Sequence, residues 1–308
     1  MSLVSVIKGK GPSGFGYGST AEEVTAGLDL GGRAILVTGC NSGIGLETVR
    51  VLALRGARVF AAGRTEEKAR AACAGLEGDI LPLACELSDP SSVRACSATL
   101  RKNGTKLDAI VCNAGIMALP KLERAFGYEL QFFTNHIGHF MLVTDLLSAL
   151  TDSARIVMVS SAAHASAPKS GIEFDNLTGD KGYNPWTAYG QSKLSNLLFA
   201  KELARRFSGT SKTANAVHPG VINTNLTRSM PAVARAALSL AAPLALKSVA
   251  QGAATQCFVA TSPQLKGVSG EYFADCNTAR STRLSRDPEL AARLWAESER
   301  IVLALRPN

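Results

Sequence analysis

Residues 34–45 read Ala-Ile-Leu-Val-Thr-Gly-Cys-Asn-Ser-Gly-Ile-Gly, and this stretch decides the fold. Ala34 to Val37 is an unbroken apolar run, the pattern of a strand buried on both faces of a parallel sheet. From Gly43 to Leu54 the pattern turns helical. Between the two lies Gly39-Cys40-Asn41-Ser42-Gly43-Ile44-Gly45. Glycines in such a turn let the backbone bend sharply and approach a pyrophosphate. The helix that follows offers free N–H groups and the positive end of its dipole to the same phosphates. Glycine turns without ligands are common. The placement between first strand and first helix makes Gly39, Asn41, Ser42, Gly43, Ile44 and Gly45 the candidate cradle.

Outward from this unit, strand and helix alternate to about residue 275. Strands are expected at Arg58–Ala62, Ile80–Cys85, Asp108–Cys112, Arg155–Ser160, Thr213–Val217 and Gly270–Phe273. Helices are expected at Thr65–Leu76, from Asp89 to about Asn103, over roughly Tyr128–Leu150, at about Pro185–Phe207 and from near Pro288. Such alternation means an α/β fold, a doubly wound parallel sheet with helices on both faces. Residues 1–30 read as an N-terminal arm and a short helix, opened by a capping box at Thr20 and Glu23. Residues 31–308 read as one catalytic domain. Ala162–Asn184 reads as a loop, and the Ala- and Leu-rich stretch 223–247 as a mobile helical flap.

Composition narrows the class. The chain has 308 residues, 46% apolar and 19% charged, with a formal net charge of +8. That is enough apolar content for a large core and too little charge for wholesale disorder. The lysines and arginines are scattered rather than blocked, which argues against nucleic acid and for a solvated basic surface. Seven cysteines in an odd count, none at CxxC spacing, argue against a disulfide framework or structural zinc and for a reducing compartment, read as cytoplasmic. No apolar run reaches the roughly 20 residues of a membrane helix. His136, His139, His164 and His218 form no metal-ligand pattern; the first two read as packing or capping groups.

Several residues carry candidate chemistry. Arg64 follows the second strand, where a carboxylate would hold the ribose 2′-OH of NAD; a guanidinium suits a 2′-phosphate instead. A surface arginine at a helix start is the plain alternative. Tyr189 and Lys193 stand at i and i+4 on one helix face. An ammonium beside a phenol favours phenolate and lowers its pKa, so Tyr189 could move a proton to or from a carbonyl oxygen. Tyr and Lys also pair on ordinary helix surfaces. Ser161 ends a strand at the sheet edge where ligands bind, with Ser160 as competitor. Asn113-Ala114-Gly115 follows the fourth strand with the same logic. Asn135 lies inside a long helix, a poor place for Asn, which points to buried hydrogen bonding of either structural or functional kind.

Together, Thr38-Gly39…Gly43-Ile44-Gly45, Cys112-Asn113-Ala114-Gly115, Asn135, Ser161, Tyr189…Lys193 and His218-Pro219-Gly220 resemble the short-chain dehydrogenase/reductase family. Thr134–Phe140, the long insert between Ser161 and Tyr189, and Gly270–Cys276 are similar to its retinol dehydrogenase branch, which includes a plant chloroplast-envelope member; the opening of the chain is similar to that member. The resemblance implies a single Rossmann-like domain, and with Arg64 the expected cofactor is NADP(H). It implies Tyr189 as proton donor and acceptor, Lys193 holding the nicotinamide ribose, Ser161 orienting the carbonyl and Asn135 anchoring a relay water. Glu86-Leu87 would lie beside the adenine, where Asp is usual in the family. Pro219, Gly220, Ile222 and Thr224 would complete the cofactor site. Cys40 stands where the family often has Ala or Gly, leaving a 2′-phosphate mainly to Arg64. Relatives often dimerise through the helices carrying Asn135 and Tyr189. The expected activity interconverts a carbonyl and an alcohol on a lipophilic small molecule. Peripheral membrane contact through the apolar flap is a further expectation. The rivals are a non-catalytic NADP(H) sensor or scaffold and a reductase of a conjugated double bond.

Overall fold

The protein is seen here as a computed structural model that describes residues 9–222 and 246–306. Thr224 and nearly all of the expected flap lie outside the described residues. After a short helix α1 (Ala21–Val24) come β1 (Ala34–Thr38), α2 (Gly43–Leu54), β2 (Arg58–Gly63), α3 (Glu66–Cys73), β3 (Ile80–Ala84), α4 (Pro90–Lys102) and β4 (Leu107–Cys112). A small hairpin, β5 (Arg124–Ala125) and β6 (Tyr128–Glu129), leads into a composite helix α5, built of Leu130–Phe132, Phe133–Ile137 and Gly138–Asp145. Then follow β7 (Leu150–Val159), α6 (Pro185–Arg206), β8 (Thr213–His218), α7 (Val249–Thr261), β9 (Tyr272–Ala274), β10 (Asn277–Thr278) and α8 (Pro288–Ala304). Thr20 caps α1 through the capping box, with Glu23 N–H donating to its hydroxyl and Thr20 N–H donating to the Glu23 carboxylate.

One eight-stranded sheet runs β10-β9-β8-β7-β4-β1-β2-β3, parallel except for the β9–β10 pair. The strand order reverses between β1 and β4, so their carboxyl ends border the crevice where ligands bind in open α/β sheets. Strand residues alternate between two cores. Leu36, Ile110, Ile156 and Met158 face a layer holding Phe140, Leu197 and Leu203. Ile35, Val37, Val111 and Val157 face a layer holding Val49, Leu52 and Phe258. Burial on both faces is why these strands read as unbroken apolar runs, each buried Val, Leu or Ile stabilising the fold by about 1.5–3 kcal/mol.

Two expectations are corrected. The helix expected over Tyr128–Leu150 is shorter and irregular. Tyr128 and Glu129 pair in the hairpin, Glu129 then caps the first turn by accepting from Gln131 N–H and Phe132 N–H, and Phe133–Ile137 is a π turn. At its other end Leu150 already belongs to β7, which is longer than the strand expected at Arg155–Ser160. The insert after Ser161 is not all loop either: Ala162–Ser166 forms a 3-10 turn capped by the Ser161 hydroxyl.

Helix α8 lies across α5 and α6. Trp295 packs against Phe140 and Phe199, with ring centroids 4.9 and 5.6 Å away, and the Arg206 guanidinium sits 3.8 Å above its ring. His136 on α5 is 2.8 Å from the Ser298 hydroxyl of α8.

Candidate active site

The cradle at the end of β1 is built by close approach. A Cβ on Gly45 would lie 2.1 Å from the Gly39 carbonyl oxygen, so only glycine lets α2 start this near the strand. The Asn113 side chain props the loop by donating to the Thr38 carbonyl at 2.8 Å, and Thr38 Oγ1 accepts from the N–H groups of Asn113 and Ala114 at 2.9 and 3.0 Å. Ser42 stands at the N-cap of α2 with no side-chain capping bond, which leaves first-turn N–H groups directed at the crevice. Arg64 follows β2 and is exposed. A turn without room for side chains, a helix start without a side-chain cap and an exposed guanidinium together fit a phosphate-bearing dinucleotide.

The reaction centre lies at the carboxyl edge of β4, β7 and β8. Ser160 and Ser161 part company here. The Ser160 hydroxyl is buried and donates to the Lys193 carbonyl at 2.7 Å. The Ser161 hydroxyl accepts from Ala163 N–H and pairs with the Tyr189 phenol. Lys193 Nζ is 5.7 Å from the centre of the Tyr189 ring and donates to the Val159 carbonyl at 3.1 Å. Asn135, on the π turn, is fully buried; its amide donates to the Ile116 carbonyl and to Ser192 Oγ, each at 2.9 Å, and accepts from Ile116 N–H at 2.8 Å. Gly115 makes this convergence feasible: a Cβ there would come within 3.1 Å of Asn135 Oδ1 and 3.2 Å of Lys193 Nζ.

Electrostatics reverse one expectation. Burial pushes the Tyr189 phenol up to about 12, with the Ser161 bond pulling the other way, rather than down toward neutrality. Burial also pulls the Lys193 ammonium down to about 8. The adjacent ammonium thus does not outweigh the dry surroundings. A neutral phenol beside a cationic lysine at pH 7 is set to give a proton rather than take one.

The other expected residues spread along the same edge. Pro219 is buried and Gly220 packs under the stem of Lys247, which pairs with Asp275 at 2.6 Å. Ile222 reaches Gly252 of α7 beside Ile44. Leu87 is in the core below Gly138, and the Glu86 carboxylate is engaged by Ser88. Sequence reasoning missed three residues. Trp186, 46% exposed, sits edge-on to Tyr189 at 6.3 Å. Lys247 has no motif around it. His139, read as packing, bonds to both Thr38 and Asn135; its i+4 spacing from Asn135 was the available signal.

This fold and site define a nicotinamide-dependent oxidoreductase of the short-chain type, and the comparisons agree. The model of the short chain dehydrogenase family matches residues 33–234, and the chain belongs to that family. It is 40% identical to the chloroplastic short-chain dehydrogenase TIC 32 B of Brassica napus, over 99% of this chain and 100% of that one. It is also 40% identical to retinol dehydrogenase 12 of Mus musculus, over 88% of this chain and 86% of the relative. Among solved structures, a protein of Mycobacterium paratuberculosis described as uncharacterized superposes with a TM-score of 0.76 at 33% identity, covering 93% of this chain and 98% of that one.

Proposed function

We propose that the protein interconverts a carbonyl and an alcohol on a lipophilic small molecule with NADP(H), favouring reduction near neutral pH. The observation that carries this reading is the buried group of Tyr189, Lys193 and Asn135 with the half-buried Ser161 hydroxyl paired to Tyr189 at the carboxyl edge of the sheet. In the proposed reaction the substrate oxygen lies between the Ser161 hydroxyl and the Tyr189 phenol. Ser161 donates a hydrogen bond that polarises the carbonyl. Tyr189 delivers its proton to the oxygen as charge develops there. The Lys193 ammonium stabilises the phenolate left behind, and Asn135 holds the surrounding backbone and Ser192 in place. The nicotinamide, when bound, supplies or accepts the hydride. Gly39, Asn41, Ser42, Gly43, Ile44 and Gly45 would hold the pyrophosphate side of the cofactor, and Asn113, Ala114, Gly115, Pro219, Gly220, Ile222 and Thr224 the remainder.

Arg64 supports NADP(H) over NAD(H), because a guanidinium attracts a 2′-phosphate and no carboxylate stands in its place. The exposed Trp186 ring beside Tyr189 supports an apolar substrate. With α8 on α5 and α6, a homodimer through those two helices is not part of the proposal. Peripheral membrane contact is, and liposome sedimentation tests it. Seven free, buried cysteines support a reducing location such as the cytoplasm.

The test is oxidation of NADPH and NADH by the purified protein against retinal, medium-chain and aromatic aldehydes, and steroid ketones. Turnover with NADPH, much weaker with NADH, is expected. Tight NADPH binding without turnover on any compound would overturn the enzymatic reading in favour of a cofactor sensor.

A further inference from the structure

His139 is fully buried on the inner face of α5 and touches both halves of the site. Its Nδ1 is 2.9 Å from the Asn135 carbonyl oxygen, and its Nε2 is 2.9 Å from Thr38 Oγ1. A carbonyl oxygen only accepts, so Nδ1 carries the hydrogen. Nε2 is then a bare acceptor and takes the Thr38 hydroxyl hydrogen. Thr38 Oγ1, having donated, accepts from Asn113 N–H at 2.9 Å and Ala114 N–H at 3.0 Å. One tautomer satisfies every donor and acceptor along this path. Burial pulls the imidazole down to about 4, and the nearby Lys193 charge acts in the same direction, so the ring stays neutral.

We propose that His139 is a positioning residue that locks the Asn135 turn to the dinucleotide cradle through a neutral, Nδ1-protonated imidazole. Asn135 stands on a π turn, a geometry that occurs mostly as single turns inside α-helices and frequently at functional sites. Its side chain is pinned toward Ile116 and Ser192, the latter adjoining Lys193 on α6. His139 pins its backbone from the other side. Thr38 is the last residue of β1 and directly precedes Gly39. The bridge therefore makes the ends of β1 and β4 and the Asn135 turn one unit, so the cradle and the proton-transfer groups keep a fixed spacing. The proposal rests on the oxidoreductase reading of this site.

Two variants split the bridge. The amide nitrogen of Asn falls where Nδ1 stands, so His139→Asn keeps the donor to Asn135 and drops the Thr38 bond. The amide oxygen of Gln falls where Nε2 stands, so His139→Gln keeps the acceptor for Thr38 and drops the bond to Asn135. His139→Leu drops both. Loss of one buried hydrogen bond corresponds to about tenfold. We expect kcat to fall about that much in His139→Gln and His139→Leu and to be largely rescued in His139→Asn. The Kd for NADPH should rise several-fold in His139→Asn and His139→Leu and hold in His139→Gln. Nitrogen-15 histidine NMR of the full chain, with and without NADPH, should show a protonated Nδ1, a bare Nε2 and no titration across the physiological range. An Nε2-protonated ring, titration near the ordinary histidine value, or equal kinetics and NADPH affinity in the Asn and Gln variants would overturn the proposal. If the wild-type protein reduces no carbonyl, the oxidoreductase reading fails, while the tautomer and the NADPH-affinity split still decide the role of His139.

Discussion

Lys193→Met removes an ammonium that the fold holds in a dry place. Lys193 is only 4% exposed, and burial pulls its pKa from the ordinary 10.5 to about 8. At 1.36 kcal/mol per unit, keeping the charge costs the folded state about 3 kcal/mol near neutral pH. Met has similar length and no charge, so it fills the same slot. The Val159 carbonyl does not become an orphan, because Asn196 Nδ2 also donates to it at 3.1 Å. The variant should therefore be more stable by about 3 kcal/mol at pH 7, a rise of about 5 °C in Tm for a chain of this size. The pH dependence has a definite sign. Between about 8 and 10.5 the unfolded chain holds the lysine proton and the folded chain has released it, so wild-type stability gains with rising pH relative to the variant. The advantage of Lys193→Met, full below about pH 8, should vanish by about pH 10.5. Turnover should fall by well over tenfold, as the phenolate loses its counter-charge. Thermal melts of both proteins across this pH range, paired with carbonyl-reduction assays, measure all three. A variant that melts at or below wild type, or a difference that ignores pH, would refute the account of Lys193 as a strained functional charge.

Tyr189→Phe should reduce turnover by at least 100-fold, the scale of lost general acid catalysis, with NADPH affinity nearly unchanged by fluorescence titration. The kcat/KM for reduction should be level through neutral pH and fall above about pH 8 as Lys193 loses its proton; a fall centred well below neutrality would contradict this. Arg64→Glu should weaken NADPH binding by about 10- to 100-fold and spare NADH, read as the two Kd values. Trp186→Ala should raise KM for large apolar carbonyls and leave small aldehydes nearly unaffected, separating a substrate contact from a fold defect. Trp295→Ala should lose about 4 kcal/mol in denaturant titration, since it empties the contact between α8 and the two long helices.

Much of the site was legible because its residues sit at local junctions. A glycine turn between strand and helix, and a Tyr–Lys pair four residues apart, are short-range patterns that backbone geometry alone places. Strand pattern alone left Ser160 as a competitor to Ser161: both follow β7, and the fold sends one hydroxyl inward to the Lys193 carbonyl and the other toward Tyr189. The π turn was hidden for a similar reason. Its residues have an ordinary helical pattern, and Asn135 within it is bonded to Ile116 and Ser192, which are distant in sequence. The direction of the Tyr189 shift was misread because spacing reports the neighbouring charge and not the depth of burial.

By itself, the sequence determined the doubly wound sheet and the candidate residues at the carboxyl edge of its strands. Apolar periodicity and turn chemistry are properties of contiguous residues. Only the tertiary structure decided how dry the Tyr189–Lys193 pair is, which histidine ties Asn135 to the cradle, and that α8 covers α5 and α6. Desolvation, buried hydrogen bonds and helix seating arise from groups brought together across the whole chain.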